Sequence, residues 1–165
     1  MGFDSVYFHM GTPFYYSMWQ PVPYGNMPAT VYLTYYSLLF LAELLGNILS
    51  PIIFEISAFG SSTFAAYAIY DRSRLSKIAM LNLAFFNGIL SEQVIQAIDL
   101  SGVLGQRLSV TRLTSPSSTL TSVEDTMWAG QTYTTGKAHG TRVNKKSYNR
   151  LVNIAASEAI IVQVL

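Results

Sequence analysis

The stretch ATVYLTYYSLLFLAELLGNILSPIIFEISAFGSSTFAAYAIY, residues 29–70, decides how the chain is read, because it is almost continuously apolar and holds no Lys or Arg. A helix needs roughly 20 apolar residues to cross about 30 Å of hydrocarbon. The run from Ala29 to Phe59 exceeds that length, so it predicts one long transmembrane helix over about residues 29–59. A kink is expected at Pro51, where the proline removes a donor and frees a carbonyl. Gly60-Ser61-Ser62 marks its natural stop, and residues 63–70 continue briefly to the charged Asp71-Arg72-Ser73-Arg74.

Composition points the same way. Half of the 165 residues are hydrophobic and 12% are charged, against about 25% charged in ordinary water-soluble domains. The formal net charge of +1 hides an asymmetry, since all 10 Lys and Arg fall between Arg72 and Arg150. Basic residues beside a span mark the cytoplasmic or matrix side. Arg72, Arg74, Lys77, Lys137, Arg142, Lys145, Lys146 and Arg150 are therefore read as topology and anionic-lipid contacts. The run from Lys137 to Arg150, with Tyr133 and Tyr148 near it, could also meet nucleic acid, but the lipid reading explains it more cheaply.

On either side of the anchor the chain changes character. Residues 1–28 hold Pro13, Pro21, Pro23 and Pro28 among many aromatics, including Tyr7, Phe14, Tyr16, Trp19 and Tyr24. Such spacing forbids a long helix and predicts an extended arm lying at a membrane–water boundary or across a neighbouring subunit. Residues 71–110 combine a basic flank with a second helix over about 78–98. There Leu83, Phe86, Leu90, Val94 and Ile98 make an apolar stripe opposite Glu92, Gln96 and Asp99. It is read as amphipathic, with a second span as the alternative. Residues 111–165 read as a loop-rich, basic extension: eight of the twelve residues from Thr111 to Ser122 are Ser or Thr. The apolar run from Leu151 to Leu165 closes it as a short terminal helix. The fold class expected is thus mainly α and integral to a membrane.

Glu43 is the residue most open to a functional reading, because an unpaired carboxylate at mid-membrane is costly. Ala42, Gly46 and Ser50 recur every four residues and form a small-residue strip, with Glu43 and Asn47 beside it. That pattern predicts a helix–helix interface built from close backbone approach and interhelical hydrogen bonds. The run Glu43 to Pro51, followed by Phe59-Gly60, resembles the helix of the rotary ATP synthase a subunit that faces the proton-carrying ring. That family places an essential arginine six residues beyond the proline; here the position is Ser57, so its proton-gating chemistry does not carry over.

Other chemistry is sparse. Without cysteine, thiolate sites and disulfides are excluded. His9 and His139 have no second ligand at metal spacing. Gly130 to Gly136-Lys137 misses a phosphate loop by one residue, and Ala138 stands where Ser or Thr is needed. No cofactor is implied beyond a structural lipid. The function expected is that of a non-catalytic accessory membrane subunit of a multi-subunit complex, with other membrane subunits and lipids as partners. An energy-converting membrane such as the mitochondrial inner membrane is its expected setting, in a respiratory-chain or ATP synthase assembly. A channel or transporter component using Glu43 and a viral or phage membrane-associated structural protein are the alternatives.

Overall fold

The computed structural model describes residues 7–11, 14, 16–57, 60–101, 107–147 and 150–165, with the backbone alone at Ser91 and at Lys145 to Ser147. Strands dominate the described residues. In chain order they are β1 (Trp19–Gln20), β2 (Thr30–Val31), the single helix α1 (Tyr35–Leu45), β3 (Ile52–Glu55), β4 (Phe64–Asp71), β5 (Arg74–Asn82), β6 (Ile95–Asp99), β7 (Leu108–Thr114), β8 (Met127–Trp128), β9 (Lys145–Ser147), β10 (Leu151–Ala155) and β11 (Glu158–Val164).

One antiparallel sheet carries the architecture. Its order is β3-β4-β5-β11-β7-β8, with β9 pairing on the β8 side of β7. The last strand of the chain, β11, lies at the centre between β5 and β7. Successive residues of a strand point to opposite faces, and both faces of this sheet are covered. On one face Ala66, Ile78, Met80, Val110, Ile160 and Val162 meet Ile98, Val152 and Ile154 from the two-stranded β6–β10 sheet. On the other face Ile69, Ala79 and Ile161 meet Tyr36, Phe40 and Leu44 of α1, together with Trp128. The result is two hydrophobic cores on opposite sides of one sheet, a layered arrangement typical of β domains with a helix on one face.

The membrane fold is corrected throughout. No helix among the described residues is long and apolar enough to cross a membrane. The expected 29–59 helix is 11 residues long, about 16 Å at 1.5 Å per residue. It ends where Gly46 takes φ 52° and ψ −129°, a conformation open to glycine and strained for other residues. Beyond it the apolar sequence turns into strands. The proposed continuation over 63–70 is β4, and Arg72 and Ser73, both at positive φ, make the tight turn from β4 into β5. The expected second helix over 78–98 is the end of β5, a loop with a short 3-10 turn at Leu90–Glu92, and β6. The expected terminal helix is β10 and β11, and the part read as loop-rich, 111–165, supplies the central strand.

The physical reason for the misreading is burial on both faces. A strand covered on both sides shows a continuous apolar run rather than alternation, and β11 buries Ala159, Ile160, Ile161 and Val162 in succession. Such a run has the hydropathy of a membrane segment and the length of neither a span nor a long helix.

Candidate functional site

A wide cleft opens where the β6–β10 layer leaves the β3–β4 side of the main sheet uncovered. Its floor is the edge of the first core, where the buried Ala66, Ile78, Met80 and Ile98 lie, and its volume is about 740 Å³. The register explains the wall: Phe54 pairs with Ala68 and Ile52 with Tyr70, so Phe54 and Tyr70 lie on the same face. Their rings meet edge to face at 5.6 Å and 90°, a favourable arrangement for two quadrupoles. Glu55, Gln96 and Asp99 also line it.

Of these groups, Asp99 is poorly suited to act as a general acid. Asp99 accepts a hydrogen bond from the N–H of Ser101 at 2.8 Å. That contact holds its carboxyl below the usual range, with Arg150 adding to the effect. A group held ionised can attract a cation or accept a proton, but it does not store one. Among the described residues no cluster of three or more His, Asp or Glu is placed to hold a metal. The cleft can pack an apolar or aromatic surface, with Glu55 and Asp99 at its rim.

A second polar group lies on the opposite face, at the end of α1. Arg142 donates to Glu43 Oε2 at 2.6 Å. Lys77 Nζ donates to the carbonyls of Glu43 and Leu44, the latter at 3.1 Å. A cation at a helix C-terminus complements its unpaired carbonyls and dipole. Burial pushes the Lys77 amine below its ordinary value of 10.5, while Glu43 partly opposes the shift. These contacts tie α1 to β5 and to the segment after β8.

The residues singled out from sequence are thus scattered. Glu43, Lys77 and Arg142 come together. Ala42 is on α1, exposed, and its carbonyl accepts the capping N–H of Gly46 at 2.8 Å. Asn47 and Ser50 are exposed and lie past the helix end, and Pro51 precedes β3. Arg72 and Arg74 flank the β4–β5 turn, Lys137 and Arg150 are exposed, and Lys145 and Lys146 fall in β9.

Sequence reasoning missed three polar positions that hold the sheets together. Arg112 on β7 meets Glu158 on β11 at 2.8 Å and also donates to the carbonyl of Asn153 at 3.0 Å. Glu158 accepts in turn from the N–H of Ala155, fixing the turn between β10 and β11. Asn82, buried at the end of β5, donates to the carbonyl of Ile154 at 3.1 Å. Only the placement of Glu158 before an apolar run hinted at such a role.

A family model of the glycosyl hydrolase family 79 C-terminal beta domain matches residues 66–161. Among solved structures, the chain is similar to a 4-O-α-L-rhamnosyl-β-D-glucuronidase from Fusarium oxysporum 12S, solved in complex with Rha-GlcA. The two are 25% identical with a TM-score of 0.59, over 68% of this chain and 26% of that one. The chain therefore spans about a quarter of that structure's length. Comparison with curated proteins gives no match. These findings overturn the accessory membrane subunit, together with its channel and viral alternatives. The mitochondrial inner-membrane setting rested on a helical span, and no helix among the described residues is long and apolar enough to be one. The non-enzymatic reading is corrected too, since the matched family is a domain of glycosyl hydrolases.

Proposed function

The chain belongs to the glycosyl hydrolase family 79 C-terminal beta domains, and from that premise we propose that it serves as the β domain of a glycoside hydrolase. In this reading it docks against a catalytic part that lies outside these residues. The observation that carries the proposal is the match of residues 66–161, which takes in β5, β6, β7 and β10 and most of β4 and β11, the strands that build the first core.

Glycoside hydrolysis needs an acid that keeps its proton and a second carboxylate facing it, about 5 to 9.5 Å away across the scissile bond. Asp99 has the opposite tendency, and Glu43 and Glu158 are engaged by arginines. A catalytic pair supplied from elsewhere is the simpler account. The surface agrees: Leu83, Phe85, Leu90, Val94 and Ile95, all within one segment, are exposed. Exposed apolar surface of this kind ordinarily marks an interface.

The similar structure is a glucuronidase, so uronic-acid glycosides are the first substrates to test. The protein carrying this chain would be isolated from its source with an antibody against the chain. It would then be assayed on aryl β-glucuronides, a rhamnosyl-glucuronide and a panel of other aryl glycosides. Depletion by the antibody is expected to remove glycosidase activity from the extract. Isolated protein with the β domain folded and no activity on any glycoside would overturn the proposal.

A further inference from the structure

The stretch ahead of α1 lies outside the family match and has chemistry of its own. Trp19 sits in β1, paired with Val31 of β2, between the fully or nearly buried Met18 and Gln20. Its backbone is therefore fixed, yet its side chain is 39% exposed. Tyr35 stands edge-on to the indole at 6.1 Å and 82°, and Tyr35 in turn meets Tyr133 at 6.0 Å. The indole is held in place by this row and still reaches solvent.

Beside it lies a pocket of about 280 Å³, closed on one side by the β1–β2 pair and on the other by Thr135 and Gly136. No residue lining it is ionisable. The hydroxyl of Thr30, which donates to the carbonyl of Val31 at 3.4 Å, and that of Thr135, which shares a 3.1 Å hydrogen bond with His139 Nε2, supply polar edges with lone pairs to spare, and Trp19, Pro21 and Val31 supply apolar walls. Gln20 is occupied by the carbonyls of Met27 and Pro28, so it stiffens the hairpin rather than facing a ligand. The volume falls just below the range for small-molecule pockets, about 300 to 1,000 Å³, and suits a single ring.

We propose that Trp19 and the Thr30–Thr135 pocket form a saccharide subsite for one uncharged pyranose ring. A pyranose has an apolar C–H face and a rim of hydroxyls. The indole takes the first through its negative π-face, and the threonine hydroxyls, each donor and acceptor, take the second. No side chain of the lining carries a fixed positive charge, so a neutral ring is favoured over a uronate, with His139 standing behind the Thr135 hydroxyl at 3.1 Å.

The choice of a saccharide over another flat ligand rests on the glycoside-hydrolase reading. The test needs no hydrolysis. The chain has two tryptophans, and Trp128 is 2% exposed, so ligand-dependent changes in indole emission report on Trp19. The 165-residue chain would be titrated with neutral gluco-, xylo-, manno- and galacto-oligosaccharides and with glucuronate, by fluorescence and by calorimetry. A saturable emission shift with at least one neutral oligosaccharide is expected, with weaker binding of glucuronate. Trp19→Ala should weaken that binding at least tenfold, and Thr135→Val severalfold, while the buried Trp128 emission stays native. Binding undiminished in Trp19→Ala, tighter binding of glucuronate, or no emission shift with any of the sugars would overturn the subsite. Binding to the chain without glycosidase activity in the isolated protein would sink the proposed function and leave the subsite standing.

Discussion

At the scale of single residues, Tyr36 shows how a polar atom can bridge the second core. Its side chain is buried, and its hydroxyl donates to the carbonyl of Val123 while accepting from the N–H of Tyr133 at 3.0 Å. Replacing it by Phe keeps the ring and leaves both backbone groups unpaired, a loss of about 1 to 3 kcal/mol. Burial also raises the Tyr36 hydroxyl above its ordinary 10.0, with the Tyr133 N–H pulling the other way. Above pH 10.0 the unfolded chain sheds this proton before the folded one, so the unfolded state binds fewer protons and stability falls as pH rises. Tyr36→Phe lacks that loss. Urea unfolding between about pH 9 and 11 should therefore show the gap between the two proteins narrowing with pH; a constant gap would contradict the assignment. The hydroxyl's role was not readable from sequence, because its partners are 87 and 97 residues away.

At the scale of elements, what was legible depended on whether local chemistry alone decided the outcome. The helical centre of the long apolar run was: Tyr35 to Leu45 forms α1, with Leu44 and Phe40 turned to the core. The break at Gly60-Ser61-Ser62 was legible too, and it falls between β3 and β4. The strands were not, because Ile78-Ala79-Met80-Leu81 and Ile160-Ile161-Val162 are apolar on both faces. Their period is hidden by cover that comes from distant segments. The Ala42–Gly46–Ser50 spacing assumed a helix that continues past Gly46, whereas that glycine ends it. At φ 52° and ψ −129° any side chain is strained, and a Cβ there would come within 3.0 Å of Lys77 Nζ. Gly46→Ala is expected to cost about 1 to 3 kcal/mol, measured by urea unfolding. A neutral outcome would mean that α1 can end in another way. For the aromatic arm, expected at a membrane boundary or across a neighbouring subunit, hydropathy leaves the partner open, since a bilayer surface and a sugar face both reward an exposed ring with a wet edge.

At the scale of the whole molecule, the low charge content takes on a different meaning. A chain with 12% charged residues still folds here around two cores, but it leaves apolar surface uncovered. Leu83 and Phe85 follow β5, Ile89 and Leu90 lie in the following loop, and Val94 and Ile95 lead into β6; all are exposed. A free domain ordinarily avoids such surface, whereas a domain seated on a larger body requires it. Exposed side chains contribute little to the folded state, so Phe85→Ser with Leu90→Ser should change unfolding free energy by no more than about 0.5 kcal/mol per site. Self-association of the isolated chain should fall markedly, as read by sedimentation over a concentration series. In the whole protein that carries this domain, the same pair is expected to loosen its seating, seen as faster proteolysis at the domain's boundary. If the double variant instead unfolds easily and self-associates as before, these side chains belong to the domain's own core, and the docking surface must be sought on the exposed Leu38 and Leu41 of α1.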